Sequence, residues 1–195
     1  MDSSTPADVV LVLNAGSSSL KFAMYASAGA LAWRALARGQ IEGIGTTPQM
    51  IVKAADGSLL PVPALASSVV DGRAALAFLV AWMNEAFAGA RIVGVGHRVV
   101  HGGPDHSRPV VVTPTILDEL RKLEPLAPLH QPYNLGAIDA VAQRLPGVPQ
   151  VACFDTSFHR GQPAVAELVP LPAELRKGGL QRYGFHGLSY EYIAD

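Results

Sequence analysis

The chain has 195 residues, 49% of them hydrophobic and only 16% charged, with a net charge of −1. That is long enough for one domain with a substantial core and too apolar for a disordered chain, and it has no basic tract of the kind that nucleic-acid binding needs. One cysteine, Cys153, excludes an internal disulfide framework, and its apolar setting in "VPQVACF" reads as a buried structural thiol.

The start, "MDSSTPAD", lacks the basic and apolar regions of a signal peptide. The apolar runs are too short to span a membrane. A cytosolic (cytoplasmic) protein without nucleic-acid or membrane partners is the expectation. The low charge also suggests surface covered by another domain or subunit.

Residues 1–8 read as a disordered N-terminus and residues 9–195 as one domain. Val9–Leu13 is a β-branched apolar run, read as a buried strand. Lys21–Tyr25 and Ala30–Arg38 read as further strands. Gln49–Ala54 and Leu59–Val62 flank "ADGS", a hairpin signal. The opening third is therefore expected to be an antiparallel meander.

The period then changes. Asp71–Phe87 carries apolar residues at helical spacing. Ile92–Val95 reads as a short strand. Thr113 caps a helix with Pro114 in its first turn, running to about Glu124. Asn134–Leu145 reads as a helix and Val148–Phe154 as a strand. "PAELRKGGL" reads as a short helix, and "GLSYEYIAD" opens a last one with Ser189 as N-cap. The order βββ(ββ)αβααβα implies a mixed α/β domain with crossovers to parallel strands. The last helix stops at Asp195 without a cap, so the chain is expected to be cut rather than finished.

In such sheets, ligands sit beyond the carboxyl ends of the parallel strands. Polar clusters fall there. "NAGSSSLK" brings Asn14, Ser17, Ser19 and Lys21 into a tight turn. It lacks the spacing of either common phosphate loop, and no helix follows to lend its N-terminus. Its amides, hydroxyls and Lys suit phosphate oxygens, and Asn14 suits a metal-bound water; an ordinary polar hairpin is the alternative.

"VGVGHRVVHGG" offers Arg98, which suits a carboxylate or phosphate, or else a structural pair with an acid. Gly94 and Gly96 thin its strand for close backbone approach. His97 and His101, four apart on a strand, lie over ~10 Å from each other and make no zinc pair. "VACFDTSFH" ends a strand with Asp155, fit for a hydrated metal, a catalytic hydrogen bond, or a plain Asx-turn. "RYGFHGLSYEYI" places Phe185 and His186 between glycines, and "APLHQPYN" adds His130 in a Pro-rich loop. Donors, an Arg, an Asp and a His converging between apolar walls suit a small anion meeting a phosphoryl group.

In order, "VLVLNAGSSSLKF", "VGHRVVHGG", "APLHQPYN", "FDTSFH" and "YGFHGLSYEYI" closely resemble the signature segments of acetate kinases. The resemblance covers only the N-terminal half of that family. It implies a ribonuclease-H-like domain of the actin, sugar kinase and heat-shock ATPase superfamily. It also implies reversible, Mg²⁺-dependent transfer of the ATP γ-phosphoryl group to acetate, giving acetyl phosphate and ADP. Under it, Asn14 would hold Mg²⁺, and Ser17, Ser19 and Lys21 would face nucleotide phosphates. Arg98 would bind acetate or the phosphoryl group, and Val100, Leu129 and Phe185 would shape the methyl pocket. Asp155 would be the catalytic acid, with His186 and His130 stabilising the transition state.

Acetate is already ionised at neutral pH, since free carboxyl groups titrate near ~4. A positioning role therefore suits Asp155 better than proton abstraction. Gln131 and Tyr133 depart from the usual family residues, which reads as a minor change near the pocket. The family's C-terminal nucleotide-binding domain has no counterpart here, so the isolated chain is expected to be inactive and the full-length form a homodimer. The alternatives are a propionate or butyrate kinase, or a non-catalytic carboxylate- or phosphate-binding fragment.

Overall fold

The computed structural model of the protein describes residues 8–29, 32–65, 68–167, 169–172, 174 and 181–194. Four strands open it: β1 (Asp8–Ala15), β2 (Ser19–Ser27), β3 (Trp33–Glu42) and β4 (Gln49–Ala54). Each pairs antiparallel with the next, as the alternating pattern predicts. Helix α1 (Gly72–Ala86) follows, then β5 (Arg91–Val99), β6 (Val110–Val111), α2 (Pro114–Arg121) and a 3₁₀ turn at Glu124–Leu126. Then come α3 (Gln131–Arg144), β7 (Gln150–Phe154), α4 (Ala164–Glu167) and α5 (Gly187–Ala194).

The seven strands form one sheet in the order β4-β3-β2-β1-β5-β7-β6. β1, β5 and β7 are parallel, so their carboxyl ends share one edge. Leu11, Leu13, Phe22, Met24, Ile41 and Val95 pack from one face of the sheet against Leu76, Leu79 and Trp82 of α1. Nearer that edge, Val99, Ala152 and Phe154 meet Leu120 of α2 and Leu135 and Ile138 of α3. α1, α2 and α3 cover this face because its side chains are mostly apolar, the buried His97–Gln150 pair being a polar exception. The other face leaves Val12, Tyr25 and Ile51 exposed.

Local chemistry sets the element ends. The Asp71 carboxylate accepts from the Ala74 N–H and caps α1. The Thr113 hydroxyl accepts from the Ile116 N–H, as the sequence predicts for α2. α3 begins at Gln131 rather than Asn134, because Pro132 fits its first turn.

Other expectations need correction. Leu59–Val62 is no strand: the turn at Gly57 (φ 87°) forms, but only the bridge Lys53–Leu59 follows it. β5 runs to Val99, four residues beyond the expected end. A Cβ on Gly94 or Gly96 would meet neighbours at an ordinary 3.9 Å, so backbone approach does not demand these glycines. α5 starts at Gly187, which places Ser189 within its first turn instead of at the cap. "PAELRKGGL" lies largely outside the described residues. Cys153 is half-buried, and burial, with a smaller push from Glu191, raises its pKa.

His97 sits in the covered face of β5, 2% exposed, and its Nε2 meets Gln150 Oε1 at 2.8 Å. Burial outweighs that bond and lowers its pKa from 6.5 to about 4. Between those values the unfolded chain takes up a proton that the folded chain refuses. Stability is then complete above about pH 6.5 and falls as the pH drops toward 4. The expected loss between pH 7 and 5 is about 2 kcal/mol, with a further contribution from His101, which burial also shifts down. Urea denaturation across this range should show that loss, and His97→Gln should flatten it. Parallel pH curves for the two proteins would refute this assignment.

Candidate functional site

The carboxyl ends of β1, β5 and β7 deliver Asn14, Arg98 and Asp155 to one place. Arg98 extends from the uncovered face of β5, between β1 and β7. Its Nε donates to Asp155 Oδ1 and Oδ2 at 3.0 and 3.1 Å, and its Nη2 donates to Oδ2. Its Nη1 donates to Asn14 Oδ1 at 3.1 Å. One guanidinium thus ties together the ends of three strands. The Asp155 side chain is 2% exposed and the Arg98 side chain 31%. The carboxylate is inside, and one edge of the guanidinium faces solvent. The sequence left Arg98 either as an anion clamp or as a structural partner of an acid. The geometry shows the second directly and leaves donors over for the first.

Beyond Val99 the chain leaves the sheet, and its peptide groups need new partners. Two amide side chains of α3 supply them. Asn134 Oδ1 accepts from the Val100 N–H at 3.0 Å, while its Nδ2 donates to the Ala15 carbonyl at 2.7 Å. Gln131 Oε1 accepts from the His101 N–H at 3.1 Å, and its Nε2 donates to the His101 carbonyl at 3.0 Å. Gln131 is fully buried, so its identity is no minor matter of the pocket rim. Asn134 was read only as the start of a helix. The missed signal was the Gln131–Asn134 spacing, which puts two amides on one face of the helix.

A cavity of about 540 Å³ opens over this arrangement, lined by Arg98, Val100, Leu129, His130, Asp155, Phe185 and His186, and also by Leu126, Ala127 and Pro128. An adjoining hollow of about 170 Å³ shares Arg98, Val100 and His130 and adds Asn14, Ser19, Lys21 and Asn134. The candidate residues thus gather, with one exception. Ser17 is exposed at the tip of the β1–β2 turn and lines neither space. That turn is closed by the Gly16 N–H donating to the Ser19 carbonyl at 2.8 Å. The apolar wall is open on one side, with Leu129 75% and Phe185 41% exposed.

The acetokinase family model matches residues 9–195. The chain belongs to that family. It is 48% identical over 189 residues to the acetate kinase of Rhizobium meliloti, covering 96% of this chain and 48% of that one. Among solved structures it resembles Porphyromonas gingivalis acetate kinase (TM-score 0.79, 33% identity, 95% of this chain and 47% of that one). It also resembles a propionate kinase from Francisella tularensis (TM-score 0.81, 34% identity, 95% and 47%). The fold is that of the actin, sugar kinase and heat-shock ATPase superfamily. The chain spans about half the length of the curated relatives it matches.

If Asn134 staples this family's site, Asn134→Ala strands the Val100 N–H and the Ala15 carbonyl together. Each buried orphan costs about 1–3 kcal/mol, so urea denaturation should show about 2–4 kcal/mol lost. Asn134→Asp should not restore stability, because Asp cannot donate to the Ala15 carbonyl. A loss below about 0.5 kcal/mol for the Ala variant would mean that water satisfies both groups.

Proposed function

We propose that this chain is the carboxylate-binding half of an acetate kinase, acting on acetate and ATP in one direction and on acetyl phosphate and ADP in the other. The observation that carries this reading is the cavity itself. Its lining combines buried Asp155 and half-buried Arg98, exposed His130 and His186, and apolar Val100, Leu129 and Phe185. A small anion with a methyl group matches each of those features.

In this reading the N–H groups of Arg98 not taken by Asp155 and Asn14 meet the acetate carboxylate and the incoming phosphoryl oxygens. His130 and His186 donate to the same oxygens as charge develops. Val100, Leu129 and Phe185 exclude water from the methyl side. Lys21 and Ser19 face the nucleotide phosphates, while Ser17, at the turn tip, reaches them only through its backbone or a shift of the turn. Asp155 fixes the guanidinium plane. Both of its oxygens accept from Arg98, and acetate brings no proton to remove. Transfer then depends on alignment and charge neutralisation.

The residues present do not by themselves form a Mg²⁺ site. Asn14, the residue the resemblance assigns to it, offers one amide oxygen that already accepts from Arg98. Among the described residues no three His, Cys, Asp or Glu side chains cluster as metal ligands. Carriage of Mg²⁺ by the nucleotide's phosphates is the form of the proposal that fits this donor set. A cytosolic location and a homodimeric full-length form belong to the same proposal. Among the described residues no helix is long and apolar enough to cross a membrane.

A second reading, use of propionate or butyrate, is favoured by the roominess of the cavity and by the likeness to a propionate kinase. One added methylene changes transition-state binding by about 1–3 kcal/mol, so kcat/KM for the three acids ranks the two readings.

Given ATP, Mg²⁺ and acetate, the 195-residue chain alone should show no turnover. Joined to the second half of Rhizobium meliloti acetate kinase, it should form acetyl phosphate. In that joined enzyme Arg98→Ala should lower kcat/KM for acetate at least tenfold, ~1.4 kcal/mol. A smaller drop would remove Arg98 from the role given to it, and absence of acetyl phosphate from a folded joined enzyme would remove the function itself.

A further inference from the structure

We propose that His159, which lies outside both cavities, is a positioning residue that holds Phe185 and His186 against the site. His186 is the one non-glycine with positive φ (59°) among the described residues. That conformation costs about 1–2 kcal/mol for an L-residue, so its surroundings must impose it.

The segment around His186 is gripped from both sides. The carbonyl of Phe185, just before it, faces His159 Nε2 at 2.9 Å. A carbonyl only accepts, so Nε2 carries the proton and donates. After His186, the Gly187 N–H donates to the Asp155 carbonyl at 2.8 Å. One turn on, Tyr190 of α5 meets the edge of the His159 ring at 5.7 Å and stacks on Phe158 at 6.0 Å.

The flanking glycines record how tight the fit is. A Cβ on Gly184 would lie 2.5 Å from the His159 ring, and one on Gly187 would lie 2.2 Å from the Asp155 carbonyl oxygen. On the other side of Phe185, His101 presents its ring edge to Tyr183 at 4.4 Å and to Phe185 at 6.0 Å. His159 therefore acts on His186 through the carbonyl of the residue before it. The turn after β7 carries both the carboxylate and the clamp, so the spacing between Asp155 and His186 is set within residues 155–159. The ligand in the test rests on the function proposed above; the clamp does not.

The test uses two variants of the 195-residue chain. His159→Phe keeps the ring packing on Tyr190 and removes the donor. His159→Gln keeps an N–H that reaches the Phe185 carbonyl. Two quantities are read: acetyl phosphate affinity by calorimetry, and exchange of the Gly187 amide by NMR. The Phe variant should bind about tenfold more weakly and exchange about tenfold faster. The Gln variant should stay within about threefold of the parent in both. Parent-like exchange in the Phe variant, or a Gln variant that behaves as Phe does, overturns the proposal. If the parent chain binds no acetyl phosphate, amide exchange alone decides the clamp, and the joined enzyme described above decides the functional reading.

Discussion

The site depends on one guanidinium. Arg98 holds the ends of β1, β5 and β7 together through Asn14, its own backbone and Asp155. A buried carboxylate is tolerable only when a cation and further donors meet it. Here the partner reaches in from the uncovered face, because β5 is the central strand of the three. No other strand could offer a side chain to both neighbours at once. The position of Arg98 in the register thus follows from topology, opposite Cys153 on β7 and one residue beyond the Leu13–His97 pair.

That arrangement works only if the loops leaving the strands are equally fixed. The amides of Gln131 and Asn134 carry the pairing of the sheet one step past its edge, into segments with no neighbouring strand. They connect β1, β5 and α3, so the β1–β2 turn and the arginine-bearing strand share one support. The 183–187 segment is placed by contact rather than by pairing: two glycines fit against a ring and a carbonyl where no side chain has room. Phe185 and His186 then line the cavity, although α5 itself is exposed along Tyr190, Tyr192 and Ile193.

Strands, helices and the shared edge were legible because hydrophobic period and strand-end polarity are local. Asn14, Arg98 and Asp155 announce themselves as polar residues at or near the ends of apolar strands, and His186 as a His set between glycines. What was not legible depends on distance through space. Gln131 and Asn134 look like ordinary helix-start residues until α3 is seen lying beside β5. Whether Arg98 faces an acid or a ligand could not be read from "HRVVHGG", because its partner lies 57 residues away. The Leu59–Val62 segment was read as a strand from the D-G turn before it. It stops after one bridge, and Pro61 has no N–H with which to continue a ladder.

The proposed function makes this chain one half of a cleft, and the geometry bounds what such a half could do. Coulomb attraction between unit charges at 4 Å is worth about 1 kcal/mol in water and about 4 kcal/mol at an effective dielectric near 20. Arg98 is partly exposed and the apolar wall at Leu129 is open, so an anion here would be held mostly in the first regime. Phosphoryl transfer needs the second, since its barrier is lowered by fixed charge in a site without water. In the proposed function the residues of this chain would supply alignment: a guanidinium in a fixed plane, two imidazoles and an apolar wall. The strength of that alignment would depend on how far water is excluded from the open side.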